Sequence, residues 1–177
     1  GFSVTATSYT ANWHSTDQAP VRAIDSGLID RLDGINQTDG GRTFRHAFAI
    51  DGQRSSSNAS TRVTGYAMRY GLNLFNDFTY FLADPVNGDQ FEQADRRWVT
   101  GGRANHRRLG EIFGKHGESS IGGQLRNDDI GQVGFFETTQ RVRRATVRDD
   151  RVTQTSTSVF GQSEIEWTRV VRTTLGV

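Results

Sequence analysis

The sequence predicts an all-β protein, an antiparallel meander of about seven to eight strands, on three observations. Apolar and polar residues alternate with a period of two in several stretches, most clearly in YAMRYGLNLFND, residues 66–77. Glycine is abundant, at 20 residues, whereas proline occurs only 2 times, a balance typical of a turn-rich β protein rather than a helical bundle. No apolar run reaches the roughly eighteen residues that a membrane-spanning helix needs.

Length and charge narrow the class of protein. The 177 residues fit one domain, and 21 basic against 20 acidic side chains give a formal net charge of +1. A balance so close to zero does not favour nucleic acid as a partner. Lys115 is the single lysine, so the other cations are guanidinium groups, which pair bidentately with carboxylates and phosphates. Cysteine is absent, which excludes disulfides and thiolate metal sites.

The first half of the chain holds three strand candidates. Residues 1–13, GFSVTATSYTANW, alternate, but the apolar phase shifts between Ala6 and Tyr9, which predicts a bulge or a change of environment. A long segment follows, and within it DSGLIDRL, residues 25–32, predicts a short helix. Residues 42–51, RTFRHAFAID, resume the alternation, and a polar turn joins them to the YAMRYGLNLFND strand.

The second half predicts four more strands and two further long segments. The strand candidates are RRWVTGGRANHRR, SIGGQLRNDD, VTQTSTSVFGQSEIEW and VVRTTLGV. The long segments are residues 78–95, which precede the first of these strands, and residues 130–151, which separate the second from the third.

Long and short connections therefore alternate along the chain, which is the pattern of an outer-membrane β-barrel with long extracellular loops and short periplasmic turns. A soluble sandwich with the same strand number stays open as an alternative. In the barrel interpretation, polar strand residues face a watery lumen, namely Arg69, Asn73, Arg103, Gln124 and Arg126. Alternate apolar residues face lipid, as in the series Tyr66, Met68, Tyr70, Leu72 and Leu74.

Longer sequence words carry a family resemblance. GLNLFNDFTYFLADPVNGDQFEQADRR, together with GGRANH, GGQLRNDDI and VRDDRVTQTSTSVFGQSEIEWT, resembles the barrel domain of TonB-dependent outer-membrane receptors of Gram-negative bacteria. The resemblance implies an outer-membrane location and the import of a scarce ligand, such as a ferric chelate, through a barrel that a plug domain closes. The sequence shows no plug domain and no TonB box, so residues 1–177 are expected to form a single barrel segment.

The expected partners follow from that interpretation. They are a small-molecule ligand, outer-membrane lipid that contacts alternate strand residues, and the remaining barrel and plug of a full-length receptor. Open strand edges also allow self-association. The alternative is a free-standing soluble β-barrel protein, derived from a receptor fragment, that binds or hydrolyses a small molecule.

An arginine-rich stretch supplies the candidate ligand-binding residues. QRVRRATVRDDR contains Arg141, Arg143, Arg144 and Arg148, whose forks could capture an anionic ligand such as a ferric chelate or a phosphorylated compound. The alternative is a solvated loop in which these cations pair with neighbouring aspartates.

Acidic residues in DPVNGDQFE supply two further candidates, Asp84 and Asp89, which carry oxygen ligands of the type that calcium prefers. Their spacing differs from the EF-hand pattern, and VNGD is equally good turn chemistry. No nucleophile, phosphate-loop or zinc-protease motif occurs. We therefore expect no catalytic residue, metal or cofactor, and an enzyme activity is not favoured.

Overall fold

A computed structural model describes residues 1–15 and 19–177 of the chain. It contains seven strands and one short helix: β1 Phe2–His14, α1 Val21–Asp25, β2 Gly40–Ser55, β3 Ala59–Asn76, β4 Phe91–Ile112, β5 Lys115–Thr139, β6 Val142–Glu166 and β7 Arg172–Gly176. The strands form one antiparallel sheet in the order β1-β2-β3-β4-β5-β6-β7. The predicted all-β meander is confirmed, and the sheet does not close, because β1 and β7 lie at its two edges.

The two ends of the sheet differ. At the long-loop end lie Ser15 and residues 19–39 and 77–90, together with the turn at Gln140 and Arg141; at the short-turn end lie residues 56–58, 113–114 and 167–171. The strands β5 and β6 have 25 residues each, about 80 Å at about 3.3 Å per residue. They extend far past β1, which has 13 residues.

The prediction of a long irregular segment at residues 130–151 is wrong. These residues continue β5 and β6 into one hairpin, which turns at Gln140 and Arg141 with φ of 50° and 65°. Register shifts between Ile130 and Val133, and again on both sides of Phe136, interrupt the alternation that identifies a strand in the sequence. The charged residues of this stretch added to the appearance of a loop, because the β6 half of the hairpin is exposed on both faces.

The predicted helix at residues 25–32 is also wrong in its position. The helix is Val21–Asp25, and it ends at Ser26, followed by Gly27 in the left-handed region with φ of 74°. Glycine after the last helical residue is the usual way in which a helix ends. Residues 26–32 therefore follow the helix instead of forming it.

Most fully buried side chains lie at the long-loop end. Those in the residues that the structure describes include the apolar Ala23, Phe75, Ala94 and Phe136 and the polar Asp39, Asn73, Asp77, Gln90, Glu92 and Thr138. Much of the rest of the sheet is a single layer with both faces exposed. The packed part of this protein is thus where its long loops meet.

Gln90 joins these loops to the β5–β6 hairpin. Its side-chain amide donates to Thr38 Oγ1 at 2.7 Å and to Asp39 Oδ1 at 2.8 Å. Its side-chain oxygen accepts from Thr138 Oγ1 at 3.0 Å and from the backbone N–H of Arg141 at 2.8 Å. Gln90 lies at the end of one long loop and therefore satisfies groups on the other long loop and on the hairpin while being buried itself.

We expect the substitution Gln90→Leu to lower the free energy of unfolding by about 2–3 kcal/mol, because it keeps the side-chain size but leaves buried polar partners without their hydrogen bonds. The measurement is urea unfolding followed by tryptophan fluorescence. Gln53→Leu, at an exposed position near the short-turn end, is the matched control and should change stability by about 0.5 kcal/mol or less. Equal effects of the two substitutions would contradict this role of Gln90.

Candidate functional site

One face of the sheet carries an exposed apolar belt near the short-turn end. We define the belt as Phe2, Val4, Phe48, Ile50, Val63, Ile121, Leu125, Val159 and Leu175, which the strand register places on one face. Their exposed fractions run from 47% for Ile50 to 81% for Phe2. We call this side of the sheet the belt face.

The centre of the belt contains no charged residue. Three successive cross-strand rows of the belt face are Phe2, Gly52, Val63, Ala104, Gly123 and Val159; then Val4, Ile50, Gly65, Gly102, Leu125 and Thr157; then Ala6, Phe48, Ala67, Thr100, Asn127 and Thr155. The flanking rows contain the first charges, Arg54 opposite Thr61 on one side and Arg69 on the other. Thr61 and Arg69 are eight residues apart along β3, about 26 Å at about 3.3 Å per residue.

The opposite face is polar at the same level. The row that lies between the first two belt rows consists of Ser3, Asp51, Thr64, Arg103, Gln124 and Ser158. Arg103 and neighbouring polar side chains, among them Arg62, Asn105 and Arg107, line a cavity of about 390 Å³ on this face. One face is thus charge-free where the other is charged.

The register corrects the sequence-based assignment of faces. Arg69 and Asn73 do not share a face with Arg103, Gln124 and Arg126, so the single polar face predicted from these five residues is wrong. The apolar series that begins at Tyr66 lies on the face of Arg103, because Tyr66 pairs with Gly101 and Thr64 pairs with Arg103.

The sequence predicts either a bulge or a change of environment at the phase shift in the first strand, and the structure shows a change of environment. The β1–β2 register runs without interruption from Phe2 opposite Gly52 to His14 opposite Gly40, so no bulge is present. The apolar residues change face instead: Phe2, Val4 and Ala6 are on the belt face, and Tyr9, Ala11 and Trp13 are on the opposite face.

Aromatic and cationic side chains border the belt on the side of the long-loop end. We call Phe44, His46, Arg69 and Trp98 the girdle. The guanidinium carbon of Arg69 lies 5.8 Å from the ring centre of Phe44 and 5.7 Å from that of Trp98, within the range of cation–π interaction. The ring of His46 stacks on Phe44 with centroids 5.4 Å apart. The girdle marks the transition from apolar to charged residues on this face.

Beyond the girdle, the belt face carries a cluster of guanidinium groups, those of Arg42, Arg69, Arg96 and Arg143, which we call the arginine cluster. Arg96 and Arg42 both donate to Asn73 Oδ1, at 2.7 Å and 3.2 Å. The amide of Asn73 donates in turn to Glu92, and two hydrogen bonds of 2.6 Å and 3.1 Å link Arg143 to the same carboxylate.

Two members of the cluster, Arg42 and Arg143, line an open cavity of about 450 Å³. Its lining residues are Asn12, Arg42, Asn73, Phe75, Glu92, Arg141 and Arg143. Arg141 enters from the tip of the β5–β6 hairpin, where it donates to the carbonyl of Thr38 at 2.6 Å. Long strands and bulges thus bring a hairpin tip over residues of β2, β3 and β4.

The electrostatics of the cluster favour an added anion. Burial acts to raise the pKa of Glu92, but hydrogen bonds from Arg143 and Asn73 outweigh it and hold this pKa below its ordinary value of 4.5. Burial lowers the pKa of Arg96, and Arg42, Arg143 and Arg69 lower it further, while Glu92 opposes them. Among the described residues, none forms an ion pair with Arg42, Arg69 or Arg96.

The four predicted arginines separate in the structure. Arg141 and Arg143 line the cavity. Arg144 bonds to the side-chain oxygen of Asn87, and Arg148 pairs with Asp150 on an exposed part of β6. The ligand-binding role of all four stays a prediction, but the structure brings together only the first two.

Asp84 and Asp89 organise the loop in which they lie. Asp89 accepts from the backbone N–H groups of Leu82, Ala83 and Asp84, at 2.7–3.2 Å. The hydrogen bond from Ala83, with others from Thr79 and Asp84, lowers the pKa of Asp89 to about 2. Asp84 accepts from the N–H groups of Val86 and Asn87, which lowers its pKa too. Both carboxylates thus act as turn-forming groups, the alternative that the sequence left open.

Sequence reasoning did not identify Arg42 and Arg96, gave Asn73 only as a polar strand residue and considered Glu92 only as an oxygen ligand in DPVNGDQFE. The β2–β3 register pairs Arg42 with Asn73, and that register follows from the turn only once its exact residues are known. The sequence places Glu92 in a predicted long segment and Arg96 at the start of a predicted strand. No pairing strand was known for either residue, so their face of the sheet could not be predicted.

No comparison with known proteins identifies this arrangement: no family model, no curated protein and no solved structure matches the chain. Within residues 1–15 and 19–177, no group of three or more histidine, aspartate or glutamate side chains is placed to hold a metal ion. In the same part of the chain, no helix is long and apolar enough to cross a membrane.

We expect Glu92→Gln to lower the free energy of unfolding by about 3 kcal/mol at neutral pH, because it removes the buried carboxylate that pairs with Arg143 and leaves the half-buried Arg96 among like charges. The pKa of Glu92 is depressed in the folded state, so its contribution is complete above pH 4.5 and is lost as the pH falls through the folded value. The difference between wild type and variant in urea unfolding should therefore shrink on acidification below pH 4.5. Asp150→Asn, in the exposed pair with Arg148, is the control and should show no such difference.

We expect Asp89→Asn to increase the hydrogen exchange of the Ala83 and Asp84 amides, because a neutral side chain accepts from backbone N–H groups less strongly. In the wild type this protection should persist from neutral pH down to about pH 3, since Asp89 ionises with a pKa of about 2. Asp30→Asn, at an exposed position in the other long loop, should leave these two amides unchanged. Unaltered exchange in Asp89→Asn would contradict the organising role of this carboxylate.

Proposed function

We propose that the chain is a wall segment of a TonB-dependent receptor in the outer membrane of a Gram-negative bacterium, with its belt against lipid and its opposite face toward the lumen. The observation that carries this proposal is the charge-free belt on one face of a sheet whose other face is charged at the same level. An outward apolar band about 25 Å tall with aromatic borders is the requirement of a transmembrane barrel wall.

The magnitude of the exposed apolar surface supports the same conclusion. Covering nine side chains that are about half exposed or more contributes about 1 kcal/mol each, on the order of 10 kcal/mol in total. That is comparable with the whole stability of an ordinary domain. A covering layer of lipid is therefore a large part of the stability of this sheet in its working state.

The two open edges fit a segment of a larger wall. The strands β1 and β7 each have one side without a neighbouring strand among the described residues. Unpaired edge groups recruit a further strand, and the remaining strands of a receptor barrel would supply it. Self-association through the same edges is the other route to pairing.

The lumen side offers a surface for an anionic ligand. One cross-strand row on this face consists of Tyr9, Arg45, Tyr70, Arg97 and Ile130, with tyrosine and arginine alternating. Tyr9 and Arg45 are exposed, whereas Arg97 pairs with Asp95. Guanidinium groups beside aromatic rings suit an anionic chelate with aromatic ligands, which combines negative charge with planar faces that stack. A ferric chelate has these properties.

The orientation of the two faces can be tested with single cysteines, since the chain has none of its own. Leu125→Cys on the belt face and Gln124→Cys on the opposite face are labelled with a fluorophore after folding into lipid vesicles. We expect brominated lipid to quench the label at position 125, and aqueous iodide to quench the label at position 124. Equal quenching by iodide at both positions, or a chain that remains soluble and monodisperse in plain buffer, would overturn the proposal.

For the ligand surface, we expect Arg45→Gln to weaken the binding of ferric tris(catecholate) by about tenfold, because an exposed cation beside two tyrosines is lost. Quenching of tyrosine and tryptophan fluorescence in detergent micelles measures the affinity. Arg172→Gln removes the same charge from an exposed position on β7, at the other edge of the sheet, and should change the affinity less than about twofold. An Arg45→Gln variant that binds as wild type would show that the ligand is held elsewhere.

A further inference from the structure

We propose that the arginine cluster binds the phosphate of an anionic lipid headgroup in the membrane leaflet at the long-loop end. The inference rests on the proposed function, because it requires the belt face to contact lipid. It assigns a lipid partner to residues that the import of a ligand through the lumen does not use.

The position of the cluster relative to the belt indicates the depth of its guanidinium groups in the membrane. Arg69 is two residues beyond Ala67, the last belt row on β3, and Arg96 lies one row further, beside Gly71. These steps correspond to about 7 Å and 13 Å along the strand, and to less along the membrane normal, because barrel strands tilt by about 40°. The headgroup layer begins at the edge of the hydrocarbon core. The guanidinium groups therefore lie at headgroup depth on the lipid side.

The charge of the cluster carries the second step. The carboxylate of Glu92 is 3% exposed and already bonded to Arg143 and Asn73, whereas Arg42, Arg69 and Arg96 form no ion pair within the described residues. Arg42 and Arg96 converge on Asn73 Oδ1, a neutral oxygen that does not offset their charge. Two like charges so close together repel each other, and an anion between them reverses the sign of the interaction.

The chemistry of the cluster selects the anion. Guanidinium forks bind phosphate bidentately, whereas a lysine ammonium would act as a point charge. The cavity beside Arg42 and Arg143 is open and has a volume of about 450 Å³, enough for a phosphate with part of its headgroup. The aromatic rings of Trp98 and Phe44 lie beside Arg69 and Arg96, in the two rows next to the belt, so acyl chains can follow the belt while the phosphate reaches the arginines.

A soluble phosphate ester would use the same guanidinium groups as the phosphate of a lipid, and the two ligands can be distinguished. A soluble phosphate ester needs only the arginines, whereas a lipid needs the arginines and the belt together. The belt, the girdle and the arginine cluster lie on one face in that order along the strands. This continuity favours the lipid.

The test measures the binding of phosphatidic acid and of phosphatidylcholine to the full chain in neutral detergent micelles by native mass spectrometry. We expect phosphatidic acid to bind at least about tenfold more tightly, and the double variant Arg42→Gln, Arg69→Gln to lose this preference. The double variant Arg169→Gln, Arg172→Gln has the same change in net charge at exposed positions beside and on β7 and should keep it. Arg42→Lys with Arg69→Lys, which retains charge without the fork, should bind with intermediate affinity, and circular dichroism checks that each variant is folded.

Three outcomes would overturn the inference. They are equal affinity for the two lipids, equal loss of preference in both glutamine double variants, and complete displacement of phosphatidic acid by equimolar inorganic phosphate. The last result would identify a free-anion site. Quenching of the label at position 125 by brominated lipid, together with any of these results, would reject the lipid site and leave the proposed function standing. Failure of that quenching would reject the proposed function itself.

Discussion

The uninterrupted antiparallel register from β1 to β4 determines which side chains share a face of the sheet, and the other properties of this protein depend on that. Side chains along a strand alternate between faces, so a slip of one residue in any pair would move a complete set of side chains to the other side. With the observed register, Val4, Ile50 and Leu125 share one face, and Asp51, Arg103 and Gln124 share the other. The contrast between the faces exists only because every strand keeps the same phase through this region.

The same register explains why the sheet has so little core of its own. A single layer buries neither face, and a sheet becomes independently stable when a second layer or a solvent of low polarity covers one side. At the long-loop end, loops and a bent hairpin supply the cover, which is why Gln90, Glu92 and Phe136 are buried there. At the short-turn end nothing within the described residues covers the belt, and the proposed function assigns that cover to lipid. Under this proposal the two halves of the sheet are stabilised by different means.

The fold was largely predictable from the sequence, and the assignment of faces was not. Alternation of period two gave the strand class and the approximate number of strands, since it depends only on local geometry. Arg69 and Arg103 both alternate with apolar neighbours in their own strands, and only the pairing of β3 with β4 reveals that they are on opposite sides. The β5–β6 hairpin was missed because its bulges break the period, as at Ile130 and Val133. Arg141 and Arg143 were identified from charge alone, whereas Glu92 and Asn73 required the three-dimensional contacts of that hairpin.

The contacts of the arginine side chains explain in physical terms why arginine suits this protein better than lysine. Arg69 lies near two aromatic rings. Arg96 and Arg42 donate to the same amide oxygen, and Arg143 donates two hydrogen bonds to Glu92. Each arrangement uses the planar, many-donor guanidinium in a way that a single ammonium could not reproduce. Arginine is also less strongly hydrated than lysine, so it costs less to hold at the boundary between an apolar belt and water. A surface that must hold cations beside apolar rings, and leave some of their donors available for an anion, is therefore better built from arginine.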